Sequence, residues 1–223
     1  MSDIPVITLD GPSGSGKGTV SQRLASKLGW HYLDSGAIYR ALAHAAQQAG
    51  ITESSRAAEM ARSLQLSFQP SEDGGAAVLL DGVDISNDIR TEECGALASQ
   101  LAAEPDVRVA LLQRQRDFCH PPGLVADGRD MGTVVFPDAT HKIYLTASAE
   151  IRAERRHKQL KLKGINDSIA RLIEVIRERD ARDEGRETSP LKPAADAIVL
   201  DTSEMSLDEV VEHVQQKVGY SSL

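Results

Sequence analysis

The stretch Gly11-Pro12-Ser13-Gly14-Ser15-Gly16-Lys17-Gly18-Thr19 follows an apolar run, Val6-Ile7-Thr8-Leu9-Asp10, and precedes an amphipathic one, Val20 to Leu28. The order is strand, glycine loop, helix. Glycines let backbone N–H groups approach an anion closely, and the helix N-terminus behind them adds a favourable dipole. Lys17 supplies a point charge toward the outer phosphates of a nucleotide. The spacing G-x-x-x-x-G-K is met at Gly11, Gly16 and Lys17, but Gly18 stands where the P-loop pattern has Ser or Thr, and the hydroxyl is delayed to Thr19. A glycine-rich turn without a nucleotide is the competing reading, and the flanking strand and helix speak against it. All nine residues from Gly11 to Thr19 are therefore candidate ATP contacts.

Further strands are expected at Trp30–Leu33, Leu124–Ala126, Ile143–Leu145 and Ala197–Asp201, each separated from the next by helical segments. Helices are expected from Ala37 to about Ala49, Glu53 to Leu64, Thr91 to Ala103, Pro105 to about Phe118, Ala149 to Lys163, and onward to about Arg182 with Asp167 or Asn166 as cap. Ser206-Leu207-Asp208-Glu209 is a capping box opening the last helix. This alternation means a parallel sheet with helices on both faces. Between residues 66 and 85 the pattern changes to three short antiparallel strands around a Pro-Ser-Glu-Asp-Gly-Gly turn, read as an inserted β element.

A net charge of −8 argues against a surface that holds nucleic acid by counterion release. Cys94 and Cys119 match no C-x-x-C pattern and are too few for a disulfide framework, so reduced thiols are expected. No signal peptide is expected, since Ser2-Asp3-Ile4-Pro5 runs straight into the first strand, and no apolar run approaches a membrane span in length. The expected setting is cytoplasmic, with no membrane and no nucleic-acid partner.

Against the acidic balance, cations recur just after strands or at helix starts: Lys17, Arg40, Arg90, Arg129, the pair Arg155 and Arg156, Arg179 and Arg186. Each alone could be a surface arginine. Together they suit a site that holds two polyanions end to end and neutralises a phosphoryl group in transit. Leu124-Val125-Ala126 finishes in Asp127-Gly128-Arg129-Asp130, and the carboxyl end of a strand is where open α/β sheets place ligands.

Three stretches then carry a family likeness: Asp34-Ser35-Gly36-Ala37-Ile38-Tyr39-Arg40, the run Asp127 to Pro137, and Arg179-Asp180-x-x-Asp183-x-x-Arg186. With the glycine loop, they resemble the bacterial cytidylate kinases in their longer form, whose monophosphate-binding region carries a small β insertion. The resemblance implies a P-loop nucleoside monophosphate kinase fold of the α/β class, with a five-stranded parallel sheet, the β insertion and a helical lid. It implies one kinase domain over residues 1–223: a core at 1–33, 108–149 and 183–223, a monophosphate-binding region at 34–107 with the insertion at about 66–85, and a lid at about 150–182. The implied reaction moves the γ-phosphoryl group of ATP to CMP or dCMP with Mg²⁺, with ATP and CMP or dCMP as small-molecule partners and the chain working as a monomer.

Carried over by motif, Lys17, Arg129, Arg155 and Arg179 are the implied catalytic cations. Ser35, Tyr39, Arg40, Arg129, Arg179 and Arg186 address the acceptor, chiefly its phosphate, and Asp183 with Arg179 stands near the ribose. Ser99, Arg108 and Asp130 are the implied cytosine readers, with Arg90 nearby. A carboxylate that accepts from the amino group and an arginine that donates to ring acceptors are the complement of cytosine. Thr19 is the candidate Mg²⁺ ligand, and Asp127 an alternative acting through water. A kinase for UMP, AMP or a shikimate-like acceptor stays open, as does a P-loop nucleotide switch.

Overall fold

The computed structural model describes residues 4–70, 76–162 and 164–219. In chain order its elements are β1 (Val6–Asp10), α1 (Lys17–Leu28), β2 (His31–Asp34), α2 (Ser35–Gln48), α3 (Ser54–Ser63), β3 (Leu66–Pro70), β4 (Ala76–Leu80), β5 (Val83–Asp84), a 3₁₀ turn (Asp88–Arg90), α4 (Glu92–Leu101), α5 (Pro105–Arg116), β6 (Leu124–Gly128), a π turn (Met131–Val135), β7 (His141–Thr146), α6 (Ala149–Leu162), α7 (Ile169–Glu184), β8 (Ile198–Asp201) and α8 (Leu207–Lys217). Five strands pair in parallel in the order β2-β6-β1-β7-β8.

β1 is buried along its whole length, Thr8 and Asp10 included, because helices cover both faces of the sheet. Alternate residues feed different cores. Val6, Leu33, Leu124 and Ala126 meet α2 and α5, while Ile7, Leu9, Val125, Ile143 and Leu145 meet Val20 and Leu24 of α1 and Val210, Val211 and Val214 of α8. The helices α6 and α7 pack on each other through Ala153, Leu160, Leu172 and Ile176, a separate small core. The antiparallel sheet β3-β4-β5 leans on the first core through Val78 and the edge-to-face pair Phe68 and Phe118, with ring centroids 5.3 Å apart. The expected turn at 70–75 falls largely outside the described residues.

Caps move several boundaries. Asp34 accepts the N–H of Ala37 at 2.9 Å, so α2 begins at Ser35 instead of Ala37. Ser168, not Asp167 or Asn166, caps α7: its hydroxyl accepts from Arg171, while Asp167 accepts from the N–H of Ser168. The capping box at Ser206 and Glu209 forms as expected. Among the described residues, no helix is long and apolar enough to cross a membrane.

Candidate active site

The register of the parallel strands puts three carboxylates along one edge. Asp10 ends β1 opposite Gly128, and Asp34 ends β2 opposite Asp127 of β6. Gly11 then turns the chain at φ 148°, where a Cβ would lie 2.0 Å from the carbonyl oxygen of Leu145, so only glycine fits. Gly16 precedes α1 in the left-handed region and no side chain caps the helix. Its first N–H groups are therefore left for an anion.

The Lys17 ammonium is buried and donates to the carbonyl of Pro12 at 3.2 Å. Burial, and then repulsion from Arg129, push its pKa down to about 8. Asp127 accepts from the Tyr32 hydroxyl at 3.0 Å, and burial with Asp34 alongside pushes its carboxyl up to about 7. Gly18 packs closely against this carboxylate. A Cβ on residue 18 would come within 3.1 Å of Asp127 Oδ2. Asp10 is likewise pushed up to about 6 by burial, against the N–H groups of Gly132 and Met131 that bond to it. It thereby fixes the π turn directly behind Asp130.

A cavity of about 700 Å³ opens over this edge. Ser13 to Thr19 line it, whereas Gly11 and Pro12 shape the loop from outside. Ten Lys or Arg and five Asp or Glu side chains line it, the reverse of the acidic balance of the whole chain. Arg129 Nε donates to Asp183 Oδ2 at 2.9 Å, and Arg186 pairs with the other oxygen. Arg179 Nη1 reaches Ser13 Oγ at 3.4 Å, and its guanidinium is pushed down to about 10 by burial and by Arg129. Ser15 Oγ, Arg179 Nε and Arg186 Nε are buried without a partner. Orphaned donors beside crowded cations are what a polyanion would relieve.

Across the cavity, Arg108 and Asp130 form a nearly buried ion pair, and Arg108 also donates to the carbonyl of Ala102 at 3.2 Å. Ser99 is buried close by and accepts from Arg182 at 3.3 Å. Tyr39 lines the cavity, its phenol pushed up to about 12 by burial. Ser35 donates to Gln115 at 2.7 Å. Arg40 donates to the carbonyls of Ile89 and Thr91 at 2.7 and 3.2 Å.

Of the expected site residues, Arg90 falls outside the cavity, whereas Asp183 and Arg155 line it with their polar atoms committed to other protein groups. Arg90 sits exposed on the 3₁₀ turn and does not line the cavity, because the buried residue of that turn is Ile89. Asp183 spends its carboxylate on Arg129 and Arg186, with no bond to Arg179. Arg155 lines the cavity but donates to the carbonyl of Ser15 at 3.3 Å and to both oxygens of Thr202 at 3.2 and 2.6 Å, tying α6 to the glycine loop and to the turn after β8. Arg156 instead pairs with Glu92 of α4 at the rim.

Sequence reasoning gave no role to Tyr32, Glu92, Gln115, Asp180 or Thr202, and none to Arg152 beyond its place in the expected lid region at about 150–182. For Asp180 a signal existed, since it stands inside the Arg179 to Arg186 motif. Gln115 and Thr202 carry none, being single polar residues whose partners lie 80 and 47 positions away.

The family model for cytidylate kinase matches residues 7–219. The chain is 59% identical over 211 residues to a cytidylate kinase of Methylococcus capsulatus (strain ATCC 33009 / NCIMB 11132 / Bath), with 94% of each chain covered. It is 56% identical over 222 residues to a cytidylate kinase of Stutzerimonas stutzeri (strain A1501), covering 98% of this chain and 97% of the relative. A cytidylate kinase of Colwellia psychrerythraea (strain 34H / ATCC BAA-681) is 55% identical over 212 residues, with 94% of each covered.

Proposed function

This chain belongs to the cytidylate kinase family, and from that premise we propose how its cavity transfers the γ-phosphoryl group of ATP to CMP or dCMP, giving ADP and the pyrimidine diphosphate. The observation that carries the reading is the cavity itself, where a glycine loop with a free helix N-terminus faces an Arg108–Asp130 pair across a cluster of under-partnered arginines.

ATP lays its phosphates on Ser13 to Thr19, with Lys17 leaving the Pro12 carbonyl to meet them. The acceptor phosphate lies among Arg40, Arg129, Arg179 and Arg186, within reach of Ser35 and Tyr39. One of its oxygens attacks the γ-phosphorus; that O–P bond forms as the bond to the β–γ bridging oxygen breaks, and the electron pair leaves with ADP. The attacking oxygen is already anionic, so positioning and charge stabilisation carry the step without a general base. Arg155, anchored beside the loop, closes the donor side. Asp130 accepts from the cytosine amino group while Arg108 and Ser99 serve the ring acceptors; the Asp183 carboxylate holds Arg129 and Arg186 in place and borders the ribose.

The donor set suits a Mg²⁺ ion held mainly by phosphate oxygens and water. No group of three His, Cys, Asp or Glu side chains that could hold a metal exists among the described residues, while Asp34 and Asp127 stand together at the loop. These carboxylates would face the ion's waters, with Thr19 on the first turn of α1 as the candidate protein hydroxyl. When bound, the ion offsets phosphate charge. A monomer in the cytoplasm, with the core, monophosphate-binding and lid regions drawn from the sequence, completes the reading.

The test is ADP formation from ATP and Mg²⁺ with CMP, dCMP, UMP, AMP or no acceptor. Turnover with CMP and dCMP well above UMP and AMP is expected. A rate indifferent to every monophosphate would overturn the reading and point to a nucleotide switch, and preference for UMP or AMP would reassign the acceptor. Those alternatives are not favoured, because none has use for a buried Arg108–Asp130 pair.

A further inference from the structure

Arg152 is 4% exposed, and its guanidinium is spent on the protein. Nε donates to the carbonyl of Ala147 at 2.9 Å. Nη1 donates to the carbonyl of Ser13 at 3.1 Å and to Asp180 Oδ1 at 3.0 Å, and Nη2 donates to Asp180 Oδ2 at 2.5 Å. A fork–fork pair of this kind fixes orientation as well as distance. It joins three pieces: the glycine loop through Ser13, α6 through Arg152 itself, and α7 through Asp180.

The neighbours of Asp180 on α7 face the other substrate. Arg179 lines the cavity and reaches the Ser13 hydroxyl at 3.4 Å. Asp183, one turn on, orients Arg129 and Arg186. Ser13 is thus gripped twice, at its carbonyl by Arg152 and at its hydroxyl by Arg179. Gly14 adds close packing, since a Cβ there would lie 3.1 Å from Arg152 Cβ. The loop and α7 are joined through Arg152, buried on α6, which gives one bond to Ser13 and a bidentate contact to Asp180, and a change in one alters the footing of the other.

We propose that Arg152 and Asp180 are positioning residues that make donor binding on the glycine loop and acceptor binding beside α7 mutually dependent. The inference rests on the reading that these two places take ATP and CMP. Linkage requires the dependence to be reciprocal: whatever factor the donor exerts on acceptor affinity, the acceptor exerts on donor affinity.

The experiment measures CMP binding to the full chain by calorimetry with and without a non-hydrolysable ATP analogue, then the analogue with and without CMP. In the wild type each ligand is expected to tighten the other by the same factor, about fivefold or more. In Asp180→Asn and in Arg152→Lys, which keeps the charge but loses the fork, each ligand alone binds within about threefold of wild type, while the coupling factor falls toward one. A wild-type factor of one, or variants that keep the wild-type factor, would overturn the proposal. A measurement needing no variant guards against misfolding: the analogue alone should slow amide exchange across residues 176–186, and unchanged exchange there would also overturn it. If neither nucleotide binds, the functional reading itself fails; if both bind independently, only this inference does.

Discussion

Asp130 shows how one side chain carries both specificity and stability. Its carboxylate is buried against Arg108, so it can accept a hydrogen bond from the cytosine amino group but meets a carbonyl where uracil sits. Asp130→Asn should lower the CMP to UMP ratio of kcat/KM by about tenfold or more, in line with roughly 1–3 kcal/mol for a good polar contact to a base edge. It should also lower Tm, because Arg108 is left buried with a neutral partner. Equal losses for both acceptors would remove the base-reading role. Lys17→Ala should depress kcat by about a hundredfold or more, the scale of one lost transition-state donor, with Tm near wild type, since folding gains nothing from burying a charge whose pKa is pushed down to about 8. A kcat within a few fold of wild type would take Lys17 out of the mechanism.

At the scale of elements, α6 offers two adjacent arginines with unequal footing. Arg155 makes three hydrogen bonds to the glycine loop and to Thr202, whereas Arg156 pairs with Glu92 where both side chains are substantially exposed. Exposed pairs contribute roughly 0–1 kcal/mol. Arg155→Ala is therefore expected to cost about tenfold or more in kcat, and Glu92→Gln no more than about threefold, both read by steady-state kinetics with CMP at saturating ATP. The reverse order would move the working cation to Arg156. The same contrast explains what the sequence disclosed. Strands such as Val6–Asp10 and Leu124–Gly128 were legible because a parallel sheet covered on both faces needs near-continuous apolar runs. The glycine loop and the strand-end acids were legible because their chemistry sits at fixed offsets. Arg155 to Thr202, Ser35 to Gln115 and Arg152 to Asp180 were not, since a lone polar residue gives no hint of a partner 28 to 80 positions away. Arg90 misled because its 3₁₀ turn buries Ile89 and leaves the arginine in solvent.

At the scale of the whole molecule, the site stores unfavourable electrostatics that substrates relieve, and this fixes a pH dependence of stability. Asp10 and Asp127 have folded pKa values of about 6 and 7, above the ordinary 3.8, chiefly through burial. Between about pH 4 and 7 the folded chain therefore binds more protons than the unfolded chain, and stability falls as pH rises through that window. Asp183 is held below its ordinary value by Arg129 and Arg186 despite its burial, so its stabilising contribution is lost only under more acidic conditions. His141, pushed down by partial burial, works in the opposite sense near pH 6, but it is one half-buried ring against two buried carboxyls. The nucleotide-free, metal-free protein should accordingly melt several degrees higher at pH 5.5 than at pH 7.5, on the order of 1–3 kcal/mol at about 1.4 kcal/mol per unit of displacement. Asp127→Asn should flatten the upper half of this trend, because its amide carries no charge to bury. Scanning calorimetry across pH 5 to 8 reads both effects. A Tm that climbs steadily from pH 5.5 to 7.5 would mean that the strand-end carboxylates are ionised and solvated in the folded chain, and the electrostatic strain assigned to the site would have to be withdrawn.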